Sequence, residues 1–435
     1  RVTRLGDGVD GSKVLCVIMG GGRGRRLDPL TRCRCKPAVP LAGKYRLVDI
    51  PISNCLNSGF NRIYILTQFN TRSLHRHIEN SYRFDTFGGG KIEIFSAEQT
   101  QDSSDSWYEG TADAVRKNMR YFHVSEDDLM IILSGDQLYR MNIADLVEQH
   151  RLQGSDVTIA AKAIPNERIS SFGVMRIRPD LSIAEFFEKP DDPELIEQLT
   201  LTGEWRSRLK DRSAKKYSLA SMGIYVFRAE ILKRALASCG SDFGKEIIPG
   251  LLGKVAMRAY IFDDYWEDIG TVRSFFDANL GLTSPQPEFN FYDALAPIHT
   301  HPSILPASKA NHCELEEVLI SDGCLLKEVR LKRCVLGLCS VVREGTRMEN
   351  VLMMGSRHYE SLEEGPISES EVPPIGVGCH SYIRNCIIDK GARIGNHVRL
   401  TPEGKEDGFE YNGLTVRDGI LCIGRDTVVP DHTVL

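Results

Sequence analysis

The chain reads as an α/β protein in two parts: a doubly wound, mixed but mostly parallel sheet, then a stacked parallel β-helix. Three observations predict this. Short apolar runs alternate with amphipathic stretches through the first two thirds of the 435 residues, the pattern of strands joined by crossover helices. One run, Val14–Met19, leads straight into Gly20, Gly21, Gly22 and Gly24. α/β folds turn backbone N–H groups toward a phosphate chain in this way. In the last part, aliphatic residues recur every six positions, a period that belongs to neither a helix nor a plain strand.

Val14–Met19, Arg62–Thr67, Lys91–Ser96, Met130–Ser134, Val157–Ala163 and Ile224–Phe227 are expected as short buried strands, with Ala184–Lys189 as another. Thr111–Tyr121 and Ile143–Leu152 carry helical periodicity between them. The polar stretch Pro190–Lys216 reads as an inserted surface segment. Prolines 285, 287, 297, 302 and 306 then mark a linker. The expected division is 1–285 for the first domain, 286–310 for the linker and 311–435 for the second domain. Beyond the linker the sixfold period runs through Leu319, Leu325 and Leu331, then Leu336, Val342 and Met348. It resumes at Ile388, Ile394 and Leu400, and at Ile423, Val429 and Leu435. Each short strand of a hexapeptide β-helix stacks one aliphatic residue on the next coil. Met354–Pro374 interrupts the period and reads as a loop between coils.

This length exceeds what one hydrophobic core serves, so two domains are expected. A formal net charge of -5 gives no general electrostatic case for nucleic acid or an acidic membrane. No apolar run approaches the ~20 residues of a membrane helix. Arg1–Lys13 has no apolar signal core. The expected compartment is a bacterial cytoplasm, or a plastid if a presequence has been removed. None of the 12 cysteines forms a Cys-x-x-Cys pair, and many sit inside apolar runs, as small buried hydrophobes do in a reducing compartment. Cys33 and Cys35 lie beside the glycine loop, where they serve packing or a redox role.

The loop itself is no P-loop, since no Gly-Lys-Ser/Thr closes it, and it lacks the third glycine of a dinucleotide fingerprint. It does carry Arg25 and Arg26, and Lys36 follows. Clustered amides and fixed cations suit a nucleoside triphosphate, holding its phosphates and neutralising a leaving group. Asp136 follows the strand Met130–Ser134. A carboxylate there either takes Mg²⁺ or caps a helix. Asp268, after Tyr265-Trp266 and before Gly270, is expected as a second metal carboxylate. Glu188-Lys189 is a charged strand end, or a polar pair facing substrate.

Several ordered stretches carry a resemblance. They are Gly20-Gly21-Gly22-Arg23-Gly24-Arg25-Arg26-Leu27, Pro29-Leu30-Thr31, Lys36-Pro37-Ala38-Val39-Pro40, Tyr45–Pro51 and Ser53-Asn54-Cys55. Trp107–Val115, Ser134-Gly135-Asp136, Phe187–Pro190, Ala220–Tyr225 and Tyr265–Thr271 continue the series. From about Val14 onward the chain resembles the sugar-nucleotide pyrophosphorylases, and among them the glucose-1-phosphate adenylyltransferases. The resemblance implies a Rossmann-like nucleotidyltransferase domain followed by a left-handed parallel β-helix. It implies a homo- or heterotetramer that makes ADP-glucose and pyrophosphate from ATP and glucose 1-phosphate, for glycogen or starch synthesis.

By the same resemblance Gly20, Gly21, Gly22 and Gly24 wrap the triphosphate, Arg26 clamps its outer phosphates and Lys36 reaches the α-phosphate or the leaving group. Gln99 meets the purine edge, and Gly110 and Thr111 line the nucleotide pocket. Lys189 takes the sugar phosphate and Glu188 the glucose hydroxyls, with Tyr108, Asp113 and Ser221 beside them. Asp136 and Asp268 share Mg²⁺. Lys390 matches the activator lysine of plant and cyanobacterial members, which implies a phosphorylated effector. Four positions depart from the pattern: Arg25 replaces a usual threonine, Gln137 a histidine and Glu98 a glutamine, while Cys33 stands where many members have an activator lysine. These departures keep open a regulatory, weakly catalytic subunit, and another nucleotide as donor. Acyl transfer, the other trade of hexapeptide helices, would need one of His312, His358, His380, His397 or His432 beside a longer helix.

Overall fold

The computed structural model describes residues 10–22, 24–84, 90–97, 107–209, 215–360 and 372–435. Within the first domain the strands are β1 (Val14–Met19), β2 (Arg62–Thr67), β3 (Lys91–Ser96), β4 (Leu129–Ser134), β5 (Gln137–Tyr139), β6 (Val157–Pro165), β7 (Gly173–Ile177), β8 (Ile183–Glu188), β9 (Tyr217–Arg228), β10 (Met257–Ile261) and β11 (Trp266–Asp268). Helices α1 (Asp49–Asn57), α2 (Thr111–Asn118), α3 (Ile143–Leu152) and α4 (Val272–Gly281) lie between or after them.

The main sheet runs in the order β8–β7–β9–β4–β1–β2–β3, with β6 paired to β9 and β10. Its centre, β4–β1–β2–β3, is parallel, and β9 enters antiparallel to β4, β6 and β7. The apolar run of β1 is buried on both faces. Val14, Cys16 and Ile18 point into one core and Leu15, Val17 and Met19 into the other. A strand covered on both sides has no polar face to alternate with, which is why it reads as a continuous hydrophobic run.

β9 and the polar insertion differ from the sequence reading. β9 spans 12 residues rather than four because it changes partners midway. Between Ser221↔Ala161 and Tyr225↔Ile159 its register against β6 slips, so Met222–Ile224 oppose Ala160 alone. Gly223 sits in this bulge at φ +69°, a conformation glycine takes without a Cβ penalty. The segment expected as a polar insertion carries two short helices, Pro193–Leu199 and Gly203–Arg208.

The second domain is a parallel β-helix, whose successive strands stack with side chains in register. Leu331 pairs with Met348 and Met348 with Ile383, while Cys334 pairs with Val351 and Val351 with Cys386. Leu331, Leu336, Val342, Met348, Ile388, Ile394, Leu400, Ile423 and Val429 all enter its core. The first sixfold triplet is one residue out of register: Leu326, rather than Leu325, is buried there. Leu319 packs against the first domain's core instead. The β-helix docks on one face of the sheet domain, where α4 meets the strands Arg330–Leu336 and Arg347–Met353. Val335, Leu352, Met354 and Ile387 belong to the same apolar cluster as Phe275 and Phe276 of α4.

Candidate active site

The site forms where β1 and β4 end side by side. Met19 pairs with Ser134, so Gly20 and Gly135-Asp136 leave the sheet together at its C-terminal edge, where open α/β sheets bind ligands. Gly135 N–H donates to Met19 O at 3.0 Å, and Gly20 N–H to Leu66 O at 2.5 Å. Gly21 and Gly24 have φ of +69° and +65°. A Cβ on Gly21 or Gly22 would meet nothing within 4 Å, so these two face open space. Thr31 Oγ1 donates to Gly24 O at 3.0 Å and fixes the far side of the loop.

Lys36 opens a short 3₁₀ turn, Lys36–Ala38. Its ammonium is nearly buried and donates to an Asp136 carboxylate oxygen, while Ser134 Oγ donates to the other oxygen. Burial pushes the Asp136 carboxyl up, but the Lys36 charge and these hydrogen bonds outweigh it and hold the group below its ordinary value. Asp268 is brought alongside by the antiparallel pairing of β5 with β11, in which Asp268 lies opposite Gln137. Ile269 N–H donates to Asp136 O at 3.2 Å. Burial first, and then the charge of Asp136, push the Asp268 carboxyl up to about 6, against the pull of Lys36 and Arg26. A Cβ on Gly270 would stand 2.8 Å from Asp268 Oδ2 and 3.6 Å from an Arg26 guanidinium nitrogen. Arg26 therefore lies across this carboxylate.

Beside the carboxylates opens a cavity of about 240 Å³. Arg26, Thr111, Glu188, Lys189, Ser221 and Asp268 all line it. Glu188 is half-buried; desolvation raises its carboxyl, and Asp242 adds to the shift against Lys189. A Cβ on Gly244 would lie 2.5 Å from Glu188 Oε2 and one on Gly173 2.9 Å from it, so two glycines make room for this carboxylate. Lys189 stands at φ +51°, with its N–H on Phe172 O at 2.9 Å and its ammonium 3.6 Å from Glu188 Oε1. Ser221 is buried at the start of the bulge in β9, its Oγ accepting Gly223 N–H at 3.2 Å. A larger cavity of about 780 Å³ shares Arg26, Ser171, Phe172 and Asp268 with it and extends along α4.

Other expected residues lie elsewhere. Asp113 is spent on Arg116 at 3.1 Å, Lys117 at 2.9 Å and Glu109 N–H at 3.0 Å. Tyr108 Oη accepts from Asn118 Nδ2 at 2.9 Å. Neither lines the cavity. At Gly110 a Cβ would strike the Ser241 carbonyl, which accepts Ala112 N–H at 2.8 Å; this glycine serves close packing of α2. Thr111 does line the cavity, with its Oγ1 donating to Asp242 at 3.2 Å and accepting Phe243 N–H at 3.1 Å. Gln99, together with Glu98, falls outside the described residues.

Lys390 belongs to a separate cluster at the domain junction. Burial, then the charges of Arg46, Arg34 and Arg357, push its ammonium down to about 7. Arg34 is buried and paired with the buried Asp389 at 2.7 Å. Sequence reasoning did not single out Arg34, Arg46 or Arg357 for this cluster. Arg34 and Arg46 are far from Lys390 in sequence and reach it only through the docking of the two domains, whereas Arg357 comes from its own domain. Among the described residues the cysteines are free thiols, Cys33 exposed and Cys35 buried. No group of three or more His, Cys, Asp or Glu gathers there as a metal cage.

Two facing carboxylates with phosphate-binding groups beside them fit a hard divalent cation, which takes one or two carboxylates and completes its shell with phosphate oxygens and water. Cations, loop amides and this acidic pair on one strand-end edge are the kinds of group that phosphoryl transfer uses. Residues 15–284 match the family model described as nucleotidyl transferase, and the chain belongs to that family. Residues 303–434 match the model of the GLGC left-handed parallel β-helix domain. Together they give the architecture of ADP-glucose pyrophosphorylase-like proteins. The fold is thus a Rossmann-like nucleotidyltransferase domain followed by a left-handed parallel β-helix. No helix among the described residues is long and apolar enough to cross a membrane.

Proposed function

We propose that the chain is a sugar-1-phosphate nucleotidyltransferase that joins ATP and glucose 1-phosphate into ADP-glucose, releasing pyrophosphate. The observation that carries this reading is the meeting of Lys36, Asp136, Asp268 and Arg26 beside the cavity lined by Glu188, Lys189 and Ser221. A phosphate oxygen of the sugar attacks the α-phosphorus in line. It is already an anion and needs no general base, so positioning and charge stabilisation supply the rate. Gly21, Gly22 and Gly24 present amides to the triphosphate, since the Gly20 N–H is taken by Leu66 O. Lys36 holds a charge at the reacting phosphate, and Arg26 one at the leaving pyrophosphate. Lys189 draws the sugar phosphate in, and Glu188, with a raised pKa, is suited to hydrogen-bond sugar hydroxyls. Mg²⁺ on Asp136 and Asp268 would neutralise phosphate charge during the attack. The choices of adenine and glucose rest on the family resemblance. A phosphorylated effector, such as 3-phosphoglycerate or a sugar phosphate, is assigned to the Lys390 cluster with Arg46 and Arg357. A tetramer built through the β-helix completes the proposal.

The test is pyrophosphate release by the purified chain. ATP, UTP, dTTP and GTP are each offered with glucose 1-phosphate and its epimers, and Asp136→Asn serves as control. The expected result is release with ATP and glucose 1-phosphate, reduced at least ~1,000-fold in the variant. Silence with every pair contradicts the reading. A chain silent alone that stimulates a catalytic partner is a regulatory subunit.

A further inference from the structure

Gln137 follows Asp136 directly and is almost wholly buried. Its side-chain amide is committed at both ends to protein partners. Nε2 donates to Met222 O at 2.7 Å, and Oε1 accepts from Trp266 Nε1 at 3.1 Å. Met222 lies in the bulge of β9, between Ser221 and Gly223. Trp266 lies two residues before Asp268 on β11, and its ring packs on Phe172 at 5.2 Å. The Phe172 carbonyl in turn holds the Lys189 N–H.

We propose that Gln137 is a positioning residue: its amide sets the spacing between the strand bearing Asp268 and the bulge bearing Ser221. The proposal rests on the cleft being a sugar-1-phosphate site. A bulge has no ladder to fix it, because Met222–Ile224 face a single residue of β6. A two-residue step separates Trp266 from Asp268, so a shift of the indole carries the carboxylate with it. An amide presents one donor face and one acceptor face that do not interchange, and here each is matched. Gln137 and Met222 line the cavity together with Glu188, Lys189 and Ser221. Loss of the amide therefore falls more heavily on the sugar phosphate than on the nucleotide.

Gln137→Met keeps the volume and removes both hydrogen bonds. Gln137→His restores one donor and one acceptor. In the methionine variant the KM for glucose 1-phosphate is expected to rise about tenfold, with the KM for ATP moving less than about twofold. The histidine variant should recover most of that loss. Hydrogen exchange of the backbone at 219–226 should speed up about tenfold in the methionine variant and slow again in the histidine variant. Equal shifts in both KM values, or unchanged exchange at 219–226, overturn the proposal. The exchange readout needs no turnover. A parent chain that makes no pyrophosphate sinks the proposed reaction instead, and leaves the role of the amide to be judged by exchange.

Discussion

Asp268 carries a charge that the folded chain resists. An exposed aspartate titrates near 3.8, and in the fold this carboxyl is pushed up to about 6 by burial and by Asp136. The folded pKa is raised, so stability falls as pH climbs from about 4 through 6, where the unfolded chain ionises first. Asp268→Asn removes the penalty. It should melt higher than the parent at pH 7 without divalent cation, with the difference gone at pH 4. Mg²⁺ should raise the melting temperature of the parent at pH 7 and leave the variant unmoved. A variant that melts lower than the parent at both pH values would refute this account of the acidic pair.

At the scale of elements, the ends of strands carry the chemistry. β1 and β4 deliver the glycine loop and Asp136 because they are parallel neighbours ending at the same level. Both were legible in the sequence, since each is a continuous apolar run closed by glycine. The end of β8 delivers Lys189 in a left-handed conformation, which costs of order 1 kcal/mol for a residue with a Cβ; the resemblance pointed to this lysine, and its geometry was not legible. Lys189→Ala should raise the KM for glucose 1-phosphate about 10- to 100-fold, the worth of one charge-assisted hydrogen bond, and leave the KM for ATP near the parent value. Steady-state kinetics with each substrate varied in turn checks this, and equal changes would contradict the role of the lysine. The bulge in β9 was hidden because the apolar run Ile224–Phe227 alone reads as a strand, and what breaks the register of the longer strand is the pairing with β6. Asp113 shows the converse: an acidic residue within a matching motif is bound up by Arg116 and Lys117 on its own helix.

Across the whole molecule the two domains share one core. The sixfold period identified the β-helix, since stacked coils demand an aliphatic residue at each repeat. It missed where the β-helix turns outward toward the first domain, as Leu319 does, because periodicity records spacing and not which neighbour covers a side chain. Arg34 and Asp389, both 2% exposed, bridge the domains, joined by Arg32 to Glu410 at 2.6 Å and Arg273 to the Asp418 carbonyl at 2.6 Å. Breaking a buried pair leaves an uncompensated charge, so Asp389→Ala should cost about 3–5 kcal/mol. Calorimetry of the parent should show a single cooperative transition. In the variant it should shift down or split, and two separate transitions in the parent would deny the common core.

The central claim is that Asp136 and Asp268 share one divalent cation beside a sugar phosphate. Anomalous diffraction from crystals grown with Mn²⁺ and ADP-glucose addresses it most directly. The account predicts a manganese peak bound by both carboxylates, with the glucosyl group against Glu188 and Lys189 and the nucleotide phosphates over Gly20–Gly24. A peak bound elsewhere, or a sugar nucleotide lying outside that cleft, would contradict it.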